Sequence, residues 1–507
     1  MKYLLMIACL ILSVPPLSAS SQPDLLEISI EDLQEELSSG KISSVELVSW
    51  YLSRIAAYDQ QGPTLNAIQH FNAAALEDAA ALDIERKDQG ARSPLHGIPI
   101  LIKDNYETVE APTTAGSAIL KGHWPKTDAT QVAKLKAAGA IILAKTTMHE
   151  FAFGWTTRGS AFGISRNPYN PERHPGGSSG GTGAAVAANF AAAGMGSDTC
   201  GSIRVPAAHN NLVGLRGTQG LSSRHGIIPL SSSRDIGGPL ARSTRDLALM
   251  LDATVGYDPL DSQTTESFGK IPESYLESLD TLNLKNLRVG VLNNWFGDQK
   301  QNESTNKQIK ELLKTLEGAG ATIKNLESAE LQELKSQTEA PEAFFVDNYD
   351  LIQDLNAYLN RYPTLEPRLF DDLANNNELE PQVANLWRSY LSPYFQDKNV
   401  YRKQQESGRI IRTQLLALLN DHQLDVLAYP TATEEAVPVQ TEQTHYNCKL
   451  SAATGLPAIS VPAGFGAEGL PVAIEFLAEP WAEQKLLNLA HTVEELSPQR
   501  KLPPNTP

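Results

Sequence analysis

Gly97-Ile98-Pro99-Ile100-Leu101-Ile102-Lys103-Asp104 reads as a short buried strand. Its apolar run is continuous rather than alternating, and a glycine and an aspartate bound it, as in a strand covered on both faces. Outward from it, Thr130 to Ala137 has helical spacing, and Ala140 to Ala144 is again strand-like. Alternating strand, helix and strand predict an α/β fold with a mixed, mostly parallel central sheet flanked by helices. Upstream, Leu33, Leu37, Val45, Leu47 and Tyr51 recur at helical spacing between about Ile28 and Tyr58. Ser29 can cap that stretch, and Gly40 divides it into two helices. Ala73 to Lys87 is a further helix rich in Ala, Glu and Asp. Downstream, Leu287 to Leu292 and Asp425 to Ala428 read as strands, while Leu251, Leu415 and Leu487 sit in helices. Residues 330–400 are helix-rich, polar and irregular, and are expected to form an insertion that shapes a pocket mouth. No repeat and no low-complexity linker divides the 507 residues. One large domain over residues 28–495 is expected, rather than the about three that length alone would give.

The formal net charge of −17 argues against a phosphate backbone as partner, so no nucleic acid is expected. Lys2 precedes a nearly wholly apolar run from Tyr3 to Val14, followed by Pro15-Pro16 and Ser18-Ala19-Ser20-Ser21. A basic start, a short apolar stretch and a small-residue exit read as a signal peptide over residues 1–20. The run is shorter than the ~20 residues a bilayer span needs. The expected location is secreted or periplasmic, without stable membrane insertion after cleavage. Cys200 and Cys448 would then be the remaining cysteines, and two so far apart are no disulfide framework. A core of this size needs none.

Several familiar patterns occur and fail. Gly176-Gly177-Ser178-Ser179-Gly180 satisfies the G-x-S-x-G elbow, but that elbow needs a strand immediately before it. Here Arg166-Asn167-Pro168-Tyr169-Asn170-Pro171 precedes it, and its prolines exclude a central strand. Ser38-Ser39-Gly40-Lys41 matches S-x-x-K at an exposed helix end, without a later K-T-G. His149-Glu150 begins like a zinc-protease helix, but Phe153 stands where the second histidine belongs. The ten histidines form no ligand cluster, and neither a Walker loop nor a dinucleotide fingerprint is found. No metal and no cofactor are expected.

One constellation survives. His96-Gly97-Ile98-Pro99-Ile100-Leu101-Ile102-Lys103-Asp104-Asn105 precedes Pro175-Gly176-Gly177-Ser178-Ser179-Gly180-Gly181, and Asp198-Thr199-Cys200-Gly201-Ser202-Ile203-Arg204 follows. Lys103 lies 75 residues before Ser178, and Ser202 lies 24 after it. In order and spacing these segments closely resemble the amidase signature family. The resemblance is strong from about Ile28 to Val255, with the signature core at about 85–255. It is weak from about 256 to 424, and recovers near Tyr429-Pro430-Thr431 and from Ser451 to about Val493. Within the family the chain looks most like bacterial peptide amidases.

The resemblance implies a serine hydrolase that cleaves the C–N bonds of linear amides through an acyl-enzyme. Ser202 would be the nucleophile, Ser178 the bridge and Lys103 the base. It also implies a cis Gly177–Ser178 peptide, and oxyanion donors at the backbone amides of Thr199, Cys200, Gly201 and Ser202. Gly177, Ser179, Asp198 and Arg204 would support these residues, an ordinary surface pair being the alternative for Asp198 and Arg204. A serine hydroxyl needs a base to take its proton, and a lysine becomes one when burial disfavours its charged form. Lys103 ends an apolar run, which suits that role. The family usually has glycine where this chain has Cys200. That side chain either narrows the acyl pocket or packs as a small buried hydrophobe, and packing is the expectation. The substrate would be a small-molecule or peptide amide, including C-terminally amidated peptides. The alternatives are a non-catalytic binding protein on the same scaffold and a glutaminase-type amidotransferase subunit. Amide and ester substrates are not separated by these residues.

Overall fold

Two capped helices open the described chain. Ile30–Ser38 starts at Ser29, whose side chain accepts from the Asp32 amide, and Ser44–Tyr58 starts at a capping box between Ser43 and Glu46. Gly40, with φ +72°, turns the chain between them. The molecule is a computed structural model that describes residues 24–340, 345–443 and 445–507. The signal peptide expected at residues 1–20 lies outside the described residues.

The strands are β1 (Ile68–Phe71), β2 (Pro99–Lys103), β3 (Ile141–Thr146), β4 (Arg158–Gly159), β5 (Gly163–Ile164), β6 (Ala193–Asp198), β7 (Val213–Arg216), β8 (Ile236–Ala241), β9 (Arg288–Leu292), β10 (Thr322–Leu326), β11 (Val426–Pro430), β12 (Ala458–Phe465) and β13 (Pro471–Leu477). All but the β4-β5 pair join one eleven-stranded sheet, ordered β1-β3-β2-β6-β8-β7-β12-β13-β11-β9-β10. The expected α/β class and mixed sheet are found. Parallel pairing is concentrated in two blocks, β3-β2-β6 and β11-β9-β10. Between them the strands pair antiparallel. For β12 and β13 the short connection requires this, because a short turn joins only antiparallel neighbours.

β2 is buried at every residue and lies between β3 and β6, as its unbroken apolar run anticipates. The helix Thr130–Ala137 lies between β2 and β3 in the chain and matches its expected bounds. β2 and β6 run parallel with Ile102 opposite Met195, so both strands finish at the same rim of the sheet. In open α/β sheets, sites form beyond the carboxyl ends of strands. Lys103 is the last residue of β2 and Asp198 the last of β6.

The segment between Ser178 and Ser202 corrects one expectation. Residues 176–202 are dominated in sequence by Gly, Ala and Ser, with a helical stretch expected from about Gly183 to Ala193. The helix is Gly180–Ala187, and Ala193 already begins β6. Asn189, with φ +57°, turns the chain between them. β6 has the sequence Ala-Gly-Met-Gly-Ser-Asp, without a β-branched residue to mark it as a strand. Its pairing with β2 and β8 overrides that local preference.

Residues 329–421 are mostly helical, including Phe345–Asn360, Pro381–Tyr390 and Lys398–Asp421. A separate apolar cluster packs part of this region on the sheet rim. Trp387 is fully buried there, with its ring 5.1 Å from Phe151 and 5.0 Å from Phe370.

Candidate active site

Lys103 is fully buried at the end of β2, and its Nζ is fixed by three acceptors. It donates to Ser178 Oγ at 2.7 Å, Ser197 Oγ at 2.9 Å and the Ser197 carbonyl at 3.2 Å. Burial lowers its pKa from 10.5 to about 7, although Asp198 and Asp235 pull the other way. The amine therefore titrates near neutrality. Asn105 holds the same serine, donating to Ser197 Oγ at 2.9 Å.

Ser178 stands before the helix Gly180–Ala187, and the Gly177–Ser178 peptide is cis. Backbone contacts fix the segment on both sides. The His149 amide donates to the Ser178 carbonyl at 2.9 Å. Thr157 Oγ1 donates to the Gly176 carbonyl at 2.7 Å and accepts from the Gly180 amide at 3.1 Å. The Ser179 amide donates to the Ser202 carbonyl at 3.2 Å, and Ser179 Oγ donates to the Ser197 carbonyl at 3.2 Å. Gly177 admits no side chain, because a Cβ there would lie 2.7 Å from the Trp155 carbonyl carbon.

The loop 199–202 is shaped from beneath by Asp198. Its Oδ1 accepts from the Gly201 amide at 2.7 Å and from Arg216 Nη1 at 3.1 Å. Its Oδ2 accepts from Arg204 Nε at 3.1 Å and from the Ile203 amide at 3.2 Å. Arg204 reaches on to Glu475, and all four charged groups are buried. Burial alone would raise the Asp198 pKa, but Arg204 and Arg216 outweigh it and hold the carboxyl well below its usual range. Asp198 and Arg204 are thus internal supports of the loop rather than a surface pair. Of the four amides expected to receive the oxyanion, that of Gly201 is the one that donates to the Asp198 carboxylate here. For the amides of Thr199, Cys200 and Ser202 the structure shows no such bond to Asp198.

Cys200 brings a second correction. It is disulfide-bonded to Cys448 across a sequence separation of 248, so it neither stands alone nor merely packs. Spacing gives no hint of this pair, because the fold brings the start of the helix Lys449–Thr454 against the loop.

Above Ser202 opens a cavity of about 480 Å³. Thr199, Cys200 and Ser202 line it together with His149 and Trp155. Phe153 and residues of the helical region, among them Leu386, Tyr390 and Phe395, form an apolar part of the wall. Sequence reasoning overlooked Ser197, Arg216, Asp235 and Trp155, and weighed His149 only as a zinc ligand. Ser197 directly precedes the Ser202 motif and could have been read with it. The other four come from separate segments that only the tertiary fold assembles. His149 is no charged base, since burial, Arg158 and Lys103 push its pKa down to about 3. Among the described residues, no group of three or more His, Cys, Asp or Glu side chains could hold a metal ion.

The amidase family model matches residues 46–487. A glutamyl-tRNA(Gln) amidotransferase subunit from Ralstonia pickettii is 34% identical over 494 residues, covering 92% of this chain and 97% of its own. The solved native peptide amidase of Stenotrophomonas maltophilia superimposes with a TM-score of 0.85 at 34% identity, covering 94% of this chain and 98% of that one. The corresponding glutamyl-tRNA(Gln) amidotransferase subunit from Thermotoga maritima gives a TM-score of 0.74 at 27% identity, covering 95% and 99%. With this fold, this motif order and a family match over most of its length, the chain belongs to the amidase signature family and is an amidase.

Proposed function

We propose that the protein hydrolyses linear primary amides, C-terminally amidated peptides among them, through Ser202, Ser178 and Lys103. The observation that carries this reading is the 2.7 Å contact between Lys103 Nζ and Ser178 Oγ, with a lysine whose pKa is about 7. In its neutral form Lys103 can place its two N–H bonds on Ser197 Oγ and the Ser197 carbonyl. Its lone pair then faces Ser178 Oγ and can take that hydroxyl's proton. Ser178 in turn takes the proton of Ser202 as Ser202 Oγ attacks the amide carbonyl. The oxyanion is received by the amides of Thr199, Cys200 and Ser202. Returning the proton through Ser178 to the leaving nitrogen breaks the C–N bond and frees ammonia. Water then attacks the acyl-enzyme by the reverse relay and releases the acid.

The cavity supports an acyl group with apolar character, such as the terminal residues of a peptide. We further propose a secreted or periplasmic location. The basic and apolar pattern of residues 1–20 supports it, and so does a disulfide, which persists in oxidising compartments. Among the described residues no helix is long and apolar enough to cross a membrane.

A second reading is an amidotransferase component that takes ammonia from glutamine. The similarity to an amidotransferase subunit over 92% of the chain favours it. The higher TM-score with the peptide amidase and the disulfide favour hydrolysis. The test is ammonia release from aliphatic amides, aryl amides, amidated dipeptides and glutamine, beside Ser202→Ala and Lys103→Ala. Release from amidated dipeptides that both variants abolish supports the first reading. Release from glutamine alone would favour the second. Release that survives Ser202→Ala would overturn both.

A further inference from the structure

We infer that the Cys200–Cys448 disulfide positions the nucleophile loop, so that its reduction slows catalysis while leaving the fold intact. The inference rests on the assignment of Ser202 as nucleophile. Cys200 sits two residues before Ser202 and lines the same cavity. Asp198 holds Gly201 and Ile203 from below. On the other side, Cys200 is held at two points. Its carbonyl accepts from Trp155 Nε1 at 2.8 Å, and its sulfur is bonded to Cys448.

The Cys448 end is the anchored one. Its carbonyl accepts from Arg204 Nη2 at 3.3 Å. Its neighbour Asn447 donates to the carbonyls of Pro430, at 2.7 Å, and Trp295, at 3.0 Å, which fixes the segment to the end of β11. β6, which leads into the nucleophile loop, lies in the other half of the sheet. The disulfide is therefore a covalent strap from the loop to the far half of the sheet. Gly201 packs directly on it: a Cβ at Gly201 would lie 2.8 Å from Cys448 Cβ. Two thiols cannot share the space of a bond, so on reduction the sulfurs must separate to van der Waals contact. Asn447 ties the Cys448 segment to Pro430 and Trp295 by two hydrogen bonds, whereas Trp155 holds the Cys200 carbonyl by one, so the larger displacement falls on Cys200, and with it on the Cys200 and Ser202 amides that are candidates to receive the oxyanion.

The chemistry balances with a small dithiol as reductant. Thiol–disulfide exchange breaks the Sγ–Sγ bond, each cysteine sulfur gains one electron and one proton, and the dithiol closes to a cyclic disulfide. Cys200 is 5% exposed and lines the substrate cavity, whereas Cys448 is 1% exposed and does not line it. Occupying the cavity should therefore slow reduction, which a strap remote from the site would not do.

The experiment treats the purified protein with dithiothreitol, counts free thiols, and follows amide hydrolysis, fluorophosphonate labelling of Ser202 and the melting transition. Reduction should lower kcat/KM and the labelling rate at least fivefold, keep a cooperative melting transition, and be reversed by reoxidation. The Cys200→Ser, Cys448→Ser double variant should show the same loss and no response to dithiothreitol. Protein already phosphonylated at Ser202 should reduce several-fold more slowly. Activity within twofold of the oxidised enzyme after full reduction would overturn the inference alone. So would loss of the melting transition, because the bond would then hold the fold rather than the loop. Oxidised protein that neither hydrolyses amides nor labels at Ser202 would overturn the functional assignment, and this inference with it.

Discussion

The pH dependence of turnover follows directly from the placement of Lys103. With an ordinary pKa of 10.5, roughly one lysine in three thousand would be neutral at pH 7; at a pKa of about 7, about half are. The sign is fixed, because in the proposed relay the neutral amine is the base and it accumulates as pH rises. The logarithm of kcat/KM for an amidated dipeptide should climb with unit slope below about pH 7 and level off above it. At pH 5 the rate should stand about a hundredfold below the plateau. His149 should add no step between pH 5 and 9, since its pKa of about 3 keeps it neutral throughout. Stopped assays of ammonia release from pH 5 to 10, paired with the rate of fluorophosphonate labelling, measure this. A profile still rising at pH 9 would mean that Lys103 is not desolvated. A flat profile from pH 5 to 9 would remove Lys103 from the role of base.

The same burial has a stability consequence. The folded pKa of Lys103 lies below its unfolded value, so from about pH 7 to 10.5 the unfolded chain binds a proton that the folded chain lacks. Stability from this group rises with pH through that window, and the deficit at pH 7 is at most about 5 kcal/mol. Lys103→Met should abolish turnover yet raise Tm at pH 7, with the gap to wild type narrowing towards pH 10 in calorimetry; a lower Tm at pH 7 would contradict this. Asp198→Asn leaves Arg204 and Arg216 without their shared carboxylate, and denaturant unfolding should show a loss of about 3–5 kcal/mol. Gly177→Ala forces a Cβ against the Trp155 backbone, at a cost of about 1–3 kcal/mol, and kcat/KM for amide hydrolysis should fall at least tenfold.

What the sequence disclosed, and what it hid, divides along physical lines. β2 was legible because a strand buried on both faces must be continuously apolar, and Thr130–Ala137 because its spacing is helical. The two N-terminal helices were legible through Ser29 and Gly40, which act locally. β6 was not, because its pairing rather than its side chains makes it a strand. Lys103, Ser178 and Ser202 stood out through the resemblance of their segments to the amidase signature family, and the fold places Lys103 on Ser178 with Ser202 at the cavity. The bond from the Gly201 amide to Asp198 was not legible, because the direction of one N–H depends on where the Asp198 side chain turns. The Cys200–Cys448 bond joins residues 248 apart, and no local pattern encodes such a meeting. The cavity wall is equally non-local, since Trp155 and Tyr390 approach it from different parts of the chain.

Reaction with a fluorophosphonate, followed by proteolysis and mass mapping of the phosphonylated peptide, tests the Ser202-Ser178-Lys103 relay most directly. The modification should fall on Ser202 alone, vanish in Ser202→Ala, and slow by at least a hundredfold in both Lys103→Ala and Ser178→Ala at pH 7. Modification of Ser178 in place of Ser202, or a labelling rate unchanged by loss of Lys103, would contradict the relay.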